Sequence, residues 1–311
     1  MKIDGREIAE SIYADLRTRV GELQKREVTP RLCVILVGED PASQIYVLQK
    51  KIKGEQINAI IDIITYPIEA ITDTILNKVR ELNADTSVHG IIIQRPLPPQ
   101  INTDVICEEV ADIKDVDGFK SQSPFHVPVV MAVMNILQTI CNIELEQGVA
   151  RLGTPLERPQ EAARPRTSEW GEERQDPDGE FFSWLKSKNI VLIGKGDTAG
   201  KPIGDYLKEI GTTPQIIDSQ TENPQELTKQ ADIIISSVGK QELIKPDMIK
   251  QGVILIGVGI SKDAAGKLHG DYEEEAIHAI ASAYTPTPGG VGPVNVAMLL
   301  HNLVTATEQQ I

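Results

Sequence analysis

The sequence predicts an α/β protein of two three-layer domains, the second of them Rossmann-like, with an interdomain cleft. Two observations predict this class. Apolar segments of strand length alternate with helical patterns through most of the 311 residues, an order typical of parallel sheets covered by helices. In addition, GKGDTAGKPIG (194–204) leaves one such segment and enters a helix, as in folds that bind a dinucleotide. A chain of this length can form two separate cores.

The strands and helices are predicted from this alternation. In the first part of the chain, helices are expected near 8–24, 43–57 and 71–83, and strands at 32–37, 59–65 and 88–94. Asn58 is expected to end the second helix, because asparagine tolerates the left-handed backbone conformation. A long helix at 127–141 leads to the second part, where strands are predicted at 190–193, 215–217, 233–238 and 253–258.

Residues 144–180 interrupt the alternation. This stretch is rich in Glu, Arg, Pro and Gly and poor in apolar residues, so it buries too little surface to offset the entropy of ordering. We predict a polar surface insertion here, with Trp170 as one candidate anchor. The segment FFSWL (181–185) is expected to dock the insertion onto the body of the protein.

The composition excludes several classes of partner. The formal net charge is −14, which disfavours nucleic acid because phosphate contacts need a basic surface. Three widely spaced cysteines, Cys33, Cys107 and Cys141, fit neither a disulfide framework nor a zinc site and favour a reducing compartment. The N-terminus has no apolar signal core, and no segment approaches the roughly 18 consecutive apolar residues of a membrane span. We therefore expect a cytoplasmic protein with no metal site and no membrane partner.

The glycine-rich turn is a moderate signal for a nucleotide. Three residues separate Gly196 from Gly200, so the strict G-x-G-x-x-G spacing is absent and a plain structural turn stays an alternative. Asp218 stands where the next predicted strand ends. An acid there typically accepts hydrogen bonds from the adenosine ribose and favours NAD over NADP. A solvated turn residue is the competing interpretation.

Three motifs in the first part could carry chemistry. Tyr46 and Lys50 are four residues apart on one predicted helix and share a face, although this spacing is common by chance. Gln94 stands where an apolar strand meets a proline-rich loop, and functional groups collect at such strand ends. KDVDGF (114–119) places two acids in a turn, which ordinary turn chemistry also explains.

A second glycine-rich turn lies near the C-terminus. PTPGGVGP (286–293) contains three prolines and three glycines, which cannot continue a strand or helix. VNVAMLLHNLV (294–304) then has apolar residues at helical spacing. Backbone N–H groups in such a turn can approach a flat or anionic ligand. A loop before a packing helix is the alternative.

Together, these motifs resemble the bifunctional methylenetetrahydrofolate dehydrogenase/methenyltetrahydrofolate cyclohydrolase family. The resemblance covers nearly the whole chain except the insertion. Eight segments follow the family's order: DGREIAESI, VGEDPASQIYVLQKK, GIIIQRPLP, KDVDGF, IGKGDTAGKP, ADIIISSVGK, GVILIGVGI and TPTPGGVGPVNVAMLLHN. It implies a folate-binding catalytic domain at 1–126 plus 293–311 and an NAD(P)-binding domain at 127–292, with the insertion at about 144–180. It also implies a homodimer.

The resemblance assigns roles to individual residues. Lys50 would be the central catalytic group, which Gln94 would hold and tune. Tyr46 would stack near the pterin or aminobenzoate, and Asp117 would bind polar atoms of the pterin. The resemblance also implies two further sets, a substrate-binding one (Pro288, Gly289, Gly290, Val291) and a coenzyme-binding one (Gly194, Lys195, Gly196, Gly200, Pro202, Asp218, Ser219, Gly239, Gly259).

The sequence departs from the family pattern around the coenzyme. FHVPVV (125–130) stands where the family usually has a Pro-Cys-Thr-Pro run, and Lys195-Gly196 replaces the usual Arg-Ser. Asp218-Ser219-Gln220 stands in place of a His-Ser-Arg-like stretch. A carboxylate at Asp218 would repel a 2′-phosphate at a cost of about one to a few kcal/mol, whereas Lys195 keeps one positive charge. The coenzyme is therefore NADP or NAD, with NAD favoured.

The implied activities are oxidation of 5,10-methylenetetrahydrofolate to 5,10-methenyltetrahydrofolate with NAD(P), and hydrolysis of the methenyl form to 10-formyltetrahydrofolate. One alternative is a monofunctional cyclohydrolase with weak or absent dehydrogenase activity, since the coenzyme pocket is altered. A folate- or nucleotide-binding regulator is a second alternative, although a mere binder does not need Lys50 and Gln94. A third is another nicotinamide dehydrogenase that shares only the second domain, but its catalytic histidine or cysteine is not apparent.

Overall fold

The computed structural model describes residues 1–152, 179–263 and 265–311. The described chain folds into two compact units. The first unit comprises Glu10–Pro128 and Val296–Ile311, and the second comprises Met1–Ala9 and Val129–Asn295. Each unit contains a parallel β-sheet, so the predicted two-domain α/β class is confirmed.

The N-terminal residues join the second unit through backbone pairing. Lys2 forms an isolated parallel bridge with Tyr284. The amide of Ile3 donates to the Tyr284 carbonyl at 2.9 Å, and the amide of Tyr284 donates to the Met1 carbonyl at 2.9 Å. The sequence-based boundaries place residues 1–9 with the folate domain instead. Hydrogen bonds between segments so far apart leave no local pattern in a sequence.

Most elements of the first unit precede residue 128. In chain order they are α1 (Gly5–Lys25), β1 (Arg31–Val37), α2 (Pro41–Gln56), β2 (Ile60–Tyr66), α3 (Thr72–Ala84), β3 (Gly90–Ile93) and α4 (Thr103–Glu109), followed by a 3-10 turn at Asp112–Lys114. Asn58 has a φ of 61°, which confirms its predicted left-handed conformation after α2.

The second unit contributes the remaining elements. They are α5 (Pro128–Leu152), α6 (Glu180–Lys186), β4 (Ile190–Ile193), α7 (Gly200–Glu209), β5 (Gln215–Ile217), α8 (Pro224–Thr228), β6 (Ile233–Ser236), β7 (Ile254–Gly257), β8 (Ser261–Lys262), β9 (Leu268–His269), α9 (Glu274–Ile277), β10 (Ala283–Tyr284) and α10 (Val291–Gln309). A 3-10 turn covers Pro246–Met248. The helix α10, whose last part belongs to the first unit, begins at Val291, three residues before the predicted start at Val294. The last residues of the glycine-rich turn, 291–293, are thus helical, because proline is tolerated in the first turn of a helix.

The sheet of the first unit has the order β2-β1-β3. Its central strand β1 pairs with both neighbours, with Ile35 opposite Ile64 of β2 and Ile93 of β3. The chain leaves β1 toward β2 and later returns to the other side at β3, so the strand order reverses between β1 and β3. In open parallel sheets, ligands bind at the carboxyl ends of the strands beside such a reversal.

Helices cover both faces of this sheet. On one face, Ile91 and Ile93 of β3 belong to a buried cluster with Ile75 and Val79 of α3. On the other face, a Cβ at Gly90 would lie 3.0 Å from Leu303 of α10. Successive residues of a strand point to opposite faces, and the near-continuous apolar strands fit a sheet buried on both sides.

The five-stranded sheet of the second unit has the order β10-β7-β6-β4-β5. Numbered by their sequence order in this sheet, the strands read 5-4-3-1-2, which is a doubly wound arrangement. The order reverses between β4 and β6, where Val191 pairs with Ile234. Strands β8 and β9 form a small antiparallel pair outside this sheet.

The helix α5 corrects the predicted start of the insertion. It continues to Leu152, so residues 144–152 are helical rather than part of an irregular segment. Glu144 accepts a hydrogen bond from Trp184 Nε1 at 2.9 Å and lies 3.6 Å from Lys188 Nζ, contacts that hold this part of the helix. Phe181 and Leu185 of α6 are buried. Trp170 and the rest of the predicted insertion up to residue 178 lie outside the described residues.

One helical stretch of the described chain, Pro128–Glu146, has the length and composition of a membrane span. Within its 18-residue apolar section, 61% is buried inside the protein. Burial of this kind is ordinary for the core helix of a globular fold.

Candidate functional site

Helix α2 presents the Tyr46–Lys50 pair next to the strand reversal of the first unit. The helix begins just after β1, where Asp40 caps it by accepting a hydrogen bond from the Ser43 amide at 2.7 Å. On its inner side, a Cβ at Gly54 would collide with Ile61, so glycine allows α2 to lie close to β2. Tyr46 is 39% exposed, which leaves its ring available to a ligand.

Lys50 and Gln94 form the central contact of the candidate site. Lys50 Nζ donates to Gln94 Oε1 at 3.0 Å. The other end of the same amide, Gln94 Nε2, donates to the Arg95 carbonyl at 2.8 Å. This second bond holds the amide oxygen toward Lys50. Since the backbone amide of Gln94 also donates to the Ile35 carbonyl at 2.9 Å, the end of β3 aims this side chain at α2.

Burial shifts the charge balance around this contact. It lowers the pKa of the Lys50 ammonium, which the nearby Asp117 carboxylate partly opposes. Burial also raises the pKa of Asp117, which the cations Lys50 and Arg95 partly oppose. A lysine with a lowered pKa is neutral for a larger fraction of the time at neutral pH and can accept a proton. The arrangement can therefore perform acid–base chemistry.

The loop that carries Asp117 is held by the C-terminal helix. Asn302 Nδ2 of α10 donates to the Val116 carbonyl at 2.9 Å and to the His126 carbonyl at 3.0 Å. Gly118 has a φ of 68°, and a Cβ there would lie 2.6 Å from the Phe125 carbonyl oxygen. Only glycine fits this position. The structure thus brings Lys50, Gln94 and Asp117 together in the first unit.

Arg95 belongs to the same cluster, although the sequence motifs assigned it no role. Its guanidinium lies 4.0 Å from the centre of the Phe119 ring, and its Nη2 donates to Cys107 Sγ at 3.5 Å. Its Nε is buried without a hydrogen-bond partner in the part of the chain that the structure describes. The only sequence signal is its place directly after Gln94.

The predicted coenzyme turn lies at the strand reversal of the second sheet. Gly194 follows β4 with a φ of 94°, and a Cβ at Gly200 would collide with the Gly194 carbonyl. Ser237, after β6, donates through Oγ to the Ile193 carbonyl at 3.2 Å. These contacts bring the loops after β4 and β6 together where doubly wound folds hold a nucleotide. Gly196 is exposed in this turn, and Pro202 lies in the first turn of α7.

Lys195 and Asp218 form an ion pair at the ends of β4 and β5. Lys195 Nζ lies 2.7 Å from Asp218 Oδ2, and Asp218 Oδ1 accepts the Gln220 amide at 2.9 Å. The bond from Lys195 contributes most to lowering the pKa of Asp218 to about 2, so this carboxyl is ionised at neutral pH. Ser219 beside it is exposed.

Asp271 organises the loop after β6 and was not found from the sequence. It is fully buried. Its Oδ2 accepts Ser236 Oγ at 2.6 Å and the Val238 amide at 3.2 Å, and its Oδ1 accepts the Lys240 amide at 2.7 Å. The predicted Gly239 lies between these donors. The only sequence signal for Asp271 is that it lies between the apolar strands β7 and β10. Acidic residues between strands are too common for this signal to identify one of them.

Gly259 completes this arrangement. A Cβ at Gly259 would collide with the Gly239 amide and would lie 2.5 Å from Asp271 Oδ2. The loops after β6 and β7 therefore touch through two glycines, with the carboxylate of Asp271 beneath them. Gly239 and Gly259, both predicted to bind the coenzyme, thus lie in direct contact.

The second glycine-rich turn packs against the N-terminal residues within the second unit. Gly289 has a φ of 113°, and its carbonyl accepts the Gly5 amide at 2.8 Å. A Cβ at Gly5 would collide with the Gly290 carbonyl. Gly289, Gly290 and Val291 are buried, whereas Pro288 is exposed.

Potential metal ligands are not grouped anywhere in the described ranges: no set of three or more His, Cys, Asp or Glu there could hold an ion.

The fold and these loops define a class of protein: a two-unit α/β protein with a nucleotide-binding second unit. Comparison with known families narrows this class. A family model for the tetrahydrofolate dehydrogenase/cyclohydrolase catalytic domain matches residues 3–117, and one for the NAD(P)-binding domain of that family matches residues 182–311. The chain belongs to the tetrahydrofolate dehydrogenase/cyclohydrolase family, as its motifs indicated.

Individual relatives agree with this assignment. The chain is 37% identical over 309 residues to a bifunctional protein FolD 2 of Geobacter sulfurreducens, covering 98% of this chain and 96% of that protein. A crystal structure of the bifunctional enzyme FolD from Campylobacter jejuni superposes with a TM-score of 0.83 at 30% identity, covering 100% and 99% of the chains. The Trypanosoma brucei FolD, solved with NADP cofactor and an inhibitor, gives 0.79 at 25% identity, covering 99% and 97%.

Proposed function

We propose that this protein oxidises 5,10-methylenetetrahydrofolate to the methenyl form with NAD(P) and hydrolyses that product to 10-formyltetrahydrofolate. The observation that carries the proposal is the contact of Lys50 Nζ with Gln94 Oε1 at 3.0 Å, beside Asp117. Family membership supports the same two activities, since the relatives are named as bifunctional enzymes.

The oxidation step depends on positioning. Bound NAD(P) supplies the acceptor for the hydride that leaves the one-carbon bridge of the folate. The residues present fit such a coenzyme, because the turn at Gly194–Gly200 and the loop that Asp271 holds both lie at the sheet's strand reversal. Asp117 and Tyr46 bind and orient the folate. Most of the rate gain then comes from holding two flat rings in a reactive geometry.

The hydrolysis step depends on Lys50. Water adds to the methenyl carbon, so a new C–O bond forms and the water must lose a proton. The neutral amine of Lys50 accepts that proton, and its lowered pKa makes the neutral form accessible. Gln94 holds the amine in place through its oriented amide oxygen. Lys50 then returns the proton to the departing ring nitrogen as the C–N bond breaks. The formyl C=O bond forms in the same step, and the remaining hydroxyl proton leaves to solvent.

We further propose NAD as the preferred coenzyme. The Asp218 carboxylate is ionised and neutralises Lys195, so the pair offers little net positive charge to a 2′-phosphate. We also propose that the enzyme is a cytoplasmic homodimer that binds tetrahydrofolate derivatives and neither nucleic acid nor membranes. The family resemblance carries the homodimer, and light scattering of the purified protein would test it.

The two activities can be measured separately. Reduction of NAD and of NADP should be followed with 5,10-methylenetetrahydrofolate, and loss of methenyltetrahydrofolate absorbance should be followed without coenzyme. We expect turnover in both assays and a higher kcat/KM with NAD. Turnover in the second assay alone would overturn the bifunctional assignment in favour of a cyclohydrolase, and turnover in neither would overturn both.

The substitution Gln94→Glu tests how Gln94 tunes Lys50. A carboxylate about 3 Å from the ammonium favours the charged form and raises the pKa of Lys50. Since the neutral amine is the active form, the acid limb of the cyclohydrolase pH–rate profile should move to higher pH, by about one unit or more. An unmoved profile would show that Lys50 is not the group whose deprotonation limits the reaction.

The substitution Asp271→Asn tests the support of the coenzyme loop. An amide nitrogen cannot accept a hydrogen bond, so at least one of the donors Ser236, Val238 and Lys240 loses its partner. Bonds to charged groups contribute about 1.5–3 kcal/mol, and we expect the KM for the coenzyme to rise at least about tenfold. Cyclohydrolase turnover without coenzyme should stay near the parent value. This assay is the control that the variant is folded. An unchanged coenzyme KM would contradict the assigned role.

A further inference from the structure

We propose that Arg95 is a positioning residue that keeps the Asp117 carboxylate ionised while Lys50 gains and loses its proton. The inference rests on the proposed cyclohydrolase activity and concerns a residue to which the family resemblance assigned no role. It would make the acid–base site a group of four side chains rather than three: Lys50, Gln94, Arg95 and Asp117.

Geometry fixes the guanidinium against the Asp117 loop. Phe119 follows Asp117 by two residues, and Arg95 lies over its ring at 4.0 Å. A guanidinium this close to the face of an aromatic ring is attracted to it, which holds Arg95 beside the Asp117 loop. The bond from Arg95 Nη2 to Cys107 Sγ, 3.5 Å long, ties the same group to α4. Arg95 is also the neighbour of Gln94, which contacts Lys50 directly.

The two cations near Asp117, Lys50 and Arg95, differ in whether they keep their positive charge during the reaction. Burial raises the pKa of Asp117, and the charges of Lys50 and Arg95 oppose this effect. Lys50 must become neutral to accept a proton, and at that stage it no longer supports the carboxylate. Arginine keeps its proton at every working pH. Arg95 therefore supplies the charge that remains when Lys50 has lost its own.

The other titratable groups near Asp117 cannot replace this charge. Asp115, on the same loop, is buried, and the charge of Asp117 adds to the burial that raises the pKa of Asp115. Lys120 forms an ion pair with Asp112 at 2.6 Å. Cys107, on α4, has a pKa raised by burial, so its thiol is neutral near pH 7.

Titration of Asp117 itself tests the proposal. The carboxyl carbon signal of Asp117, in protein labelled at aspartate and assigned with Asp117→Asn, should be followed against pH in the full chain. In Arg95→Met we expect the midpoint to move up by about one pH unit, whereas Arg95→Lys should keep it near the parent value. Tetrahydrofolate should also bind Arg95→Met progressively more weakly as the pH falls.

A control and a second variant complete the test. Arg80→Met removes one positive charge from an exposed ion pair with Glu109 in the same unit and should leave the Asp117 midpoint unchanged. Should Arg95→Met fail to fold, Arg95→Gln gives the same charge loss with a polar side chain. An unmoved midpoint in the folded neutral variant would overturn the proposal, even if turnover falls. Absence of turnover in the parent protein would instead overturn the proposed function, because the titration does not depend on activity.

Discussion

The substitution Lys50→Met is expected to lower cyclohydrolase kcat by at least about a hundredfold, the usual range for losing a positioned acid–base group. Hydride transfer needs no proton acceptor, so dehydrogenase kcat should fall by at most about tenfold. Both steps should be assayed on the same preparation, with methenyltetrahydrofolate for the first and 5,10-methylenetetrahydrofolate plus coenzyme for the second. Methionine keeps most of the length of the lysine stem, which limits the change in shape.

Stability separates a catalytic role from a packing role in this variant. Because burial lowers the pKa of Lys50, the folded state disfavours the charged amine that predominates in the unfolded chain at pH 7. This cost is complete below the lowered pKa of the folded state and is lost as the pH rises from that value to the pKa of the unfolded chain. Removing the amine should therefore leave the free energy of unfolding at pH 7 unchanged or raise it, as measured by urea titration. A destabilised Lys50→Met would indicate that the lysine serves the fold.

A lysine on the same helix provides the control. Lys53 Nζ donates to Gln56 Oε1 at 3.0 Å in an exposed contact, one turn beyond Lys50. Lys53→Met removes the same charge from α2 and should leave both activities near their parent values. Equal losses in the two variants would show that the net charge of the helix, rather than the buried amine, governs hydrolysis.

Local patterns in the sequence correctly predicted features that depend on neighbouring residues, such as short strands, a shared helix and a turn. The strands β4 and β5 coincide with the predicted 190–193 and 215–217, since short apolar runs bounded by polar turns define buried strands. The spacing of Tyr46 and Lys50 correctly placed them on one helix. A glycine-rich turn leading into α10 was also predicted, because proline and glycine mark an interruption of regular structure, although the helix begins inside that turn at Val291.

Long-range contacts decided the features that the sequence did not predict. The helix α5 continues through Glu144, which contacts Trp184 and Lys188. The polar composition of that stretch predicted an irregular segment instead. Asp271 meets its three donors 31 to 35 residues earlier in the chain. Arg95 meets Phe119 through a loop. Such pairs have no period, so a single sequence does not reveal them.

The substitution Asp218→Asn is expected to shift coenzyme preference toward NADP. It removes the negative charge that neutralises Lys195 and frees that ammonium to meet a 2′-phosphate. It also removes a strong acceptor for the ribose hydroxyls of NAD. We expect the ratio of kcat/KM for NADP to that for NAD to rise about tenfold to a hundredfold, which corresponds to roughly 1.4–2.8 kcal/mol. Asp232→Asn, which breaks the Lys250 ion pair before β6, should leave the ratio unchanged.

A double-variant cycle then assigns the effect to the pair. Lys195→Met alone should lower kcat/KM with NADP and leave NAD use nearly unchanged, and in the Asp218→Asn background it should abolish the NADP gain. If the two substitutions act independently, with additive changes in the logarithm of the ratio, the ion pair does not control selectivity. Since the pKa of Asp218 is about 2, the carboxylate stays charged between about pH 5 and pH 8. Any change of the parent's preference in this range should therefore follow the 2′-phosphate of NADP, whose second pKa is about 6. A preference that reverses well away from pH 6 would locate selectivity in another titrating group of the protein.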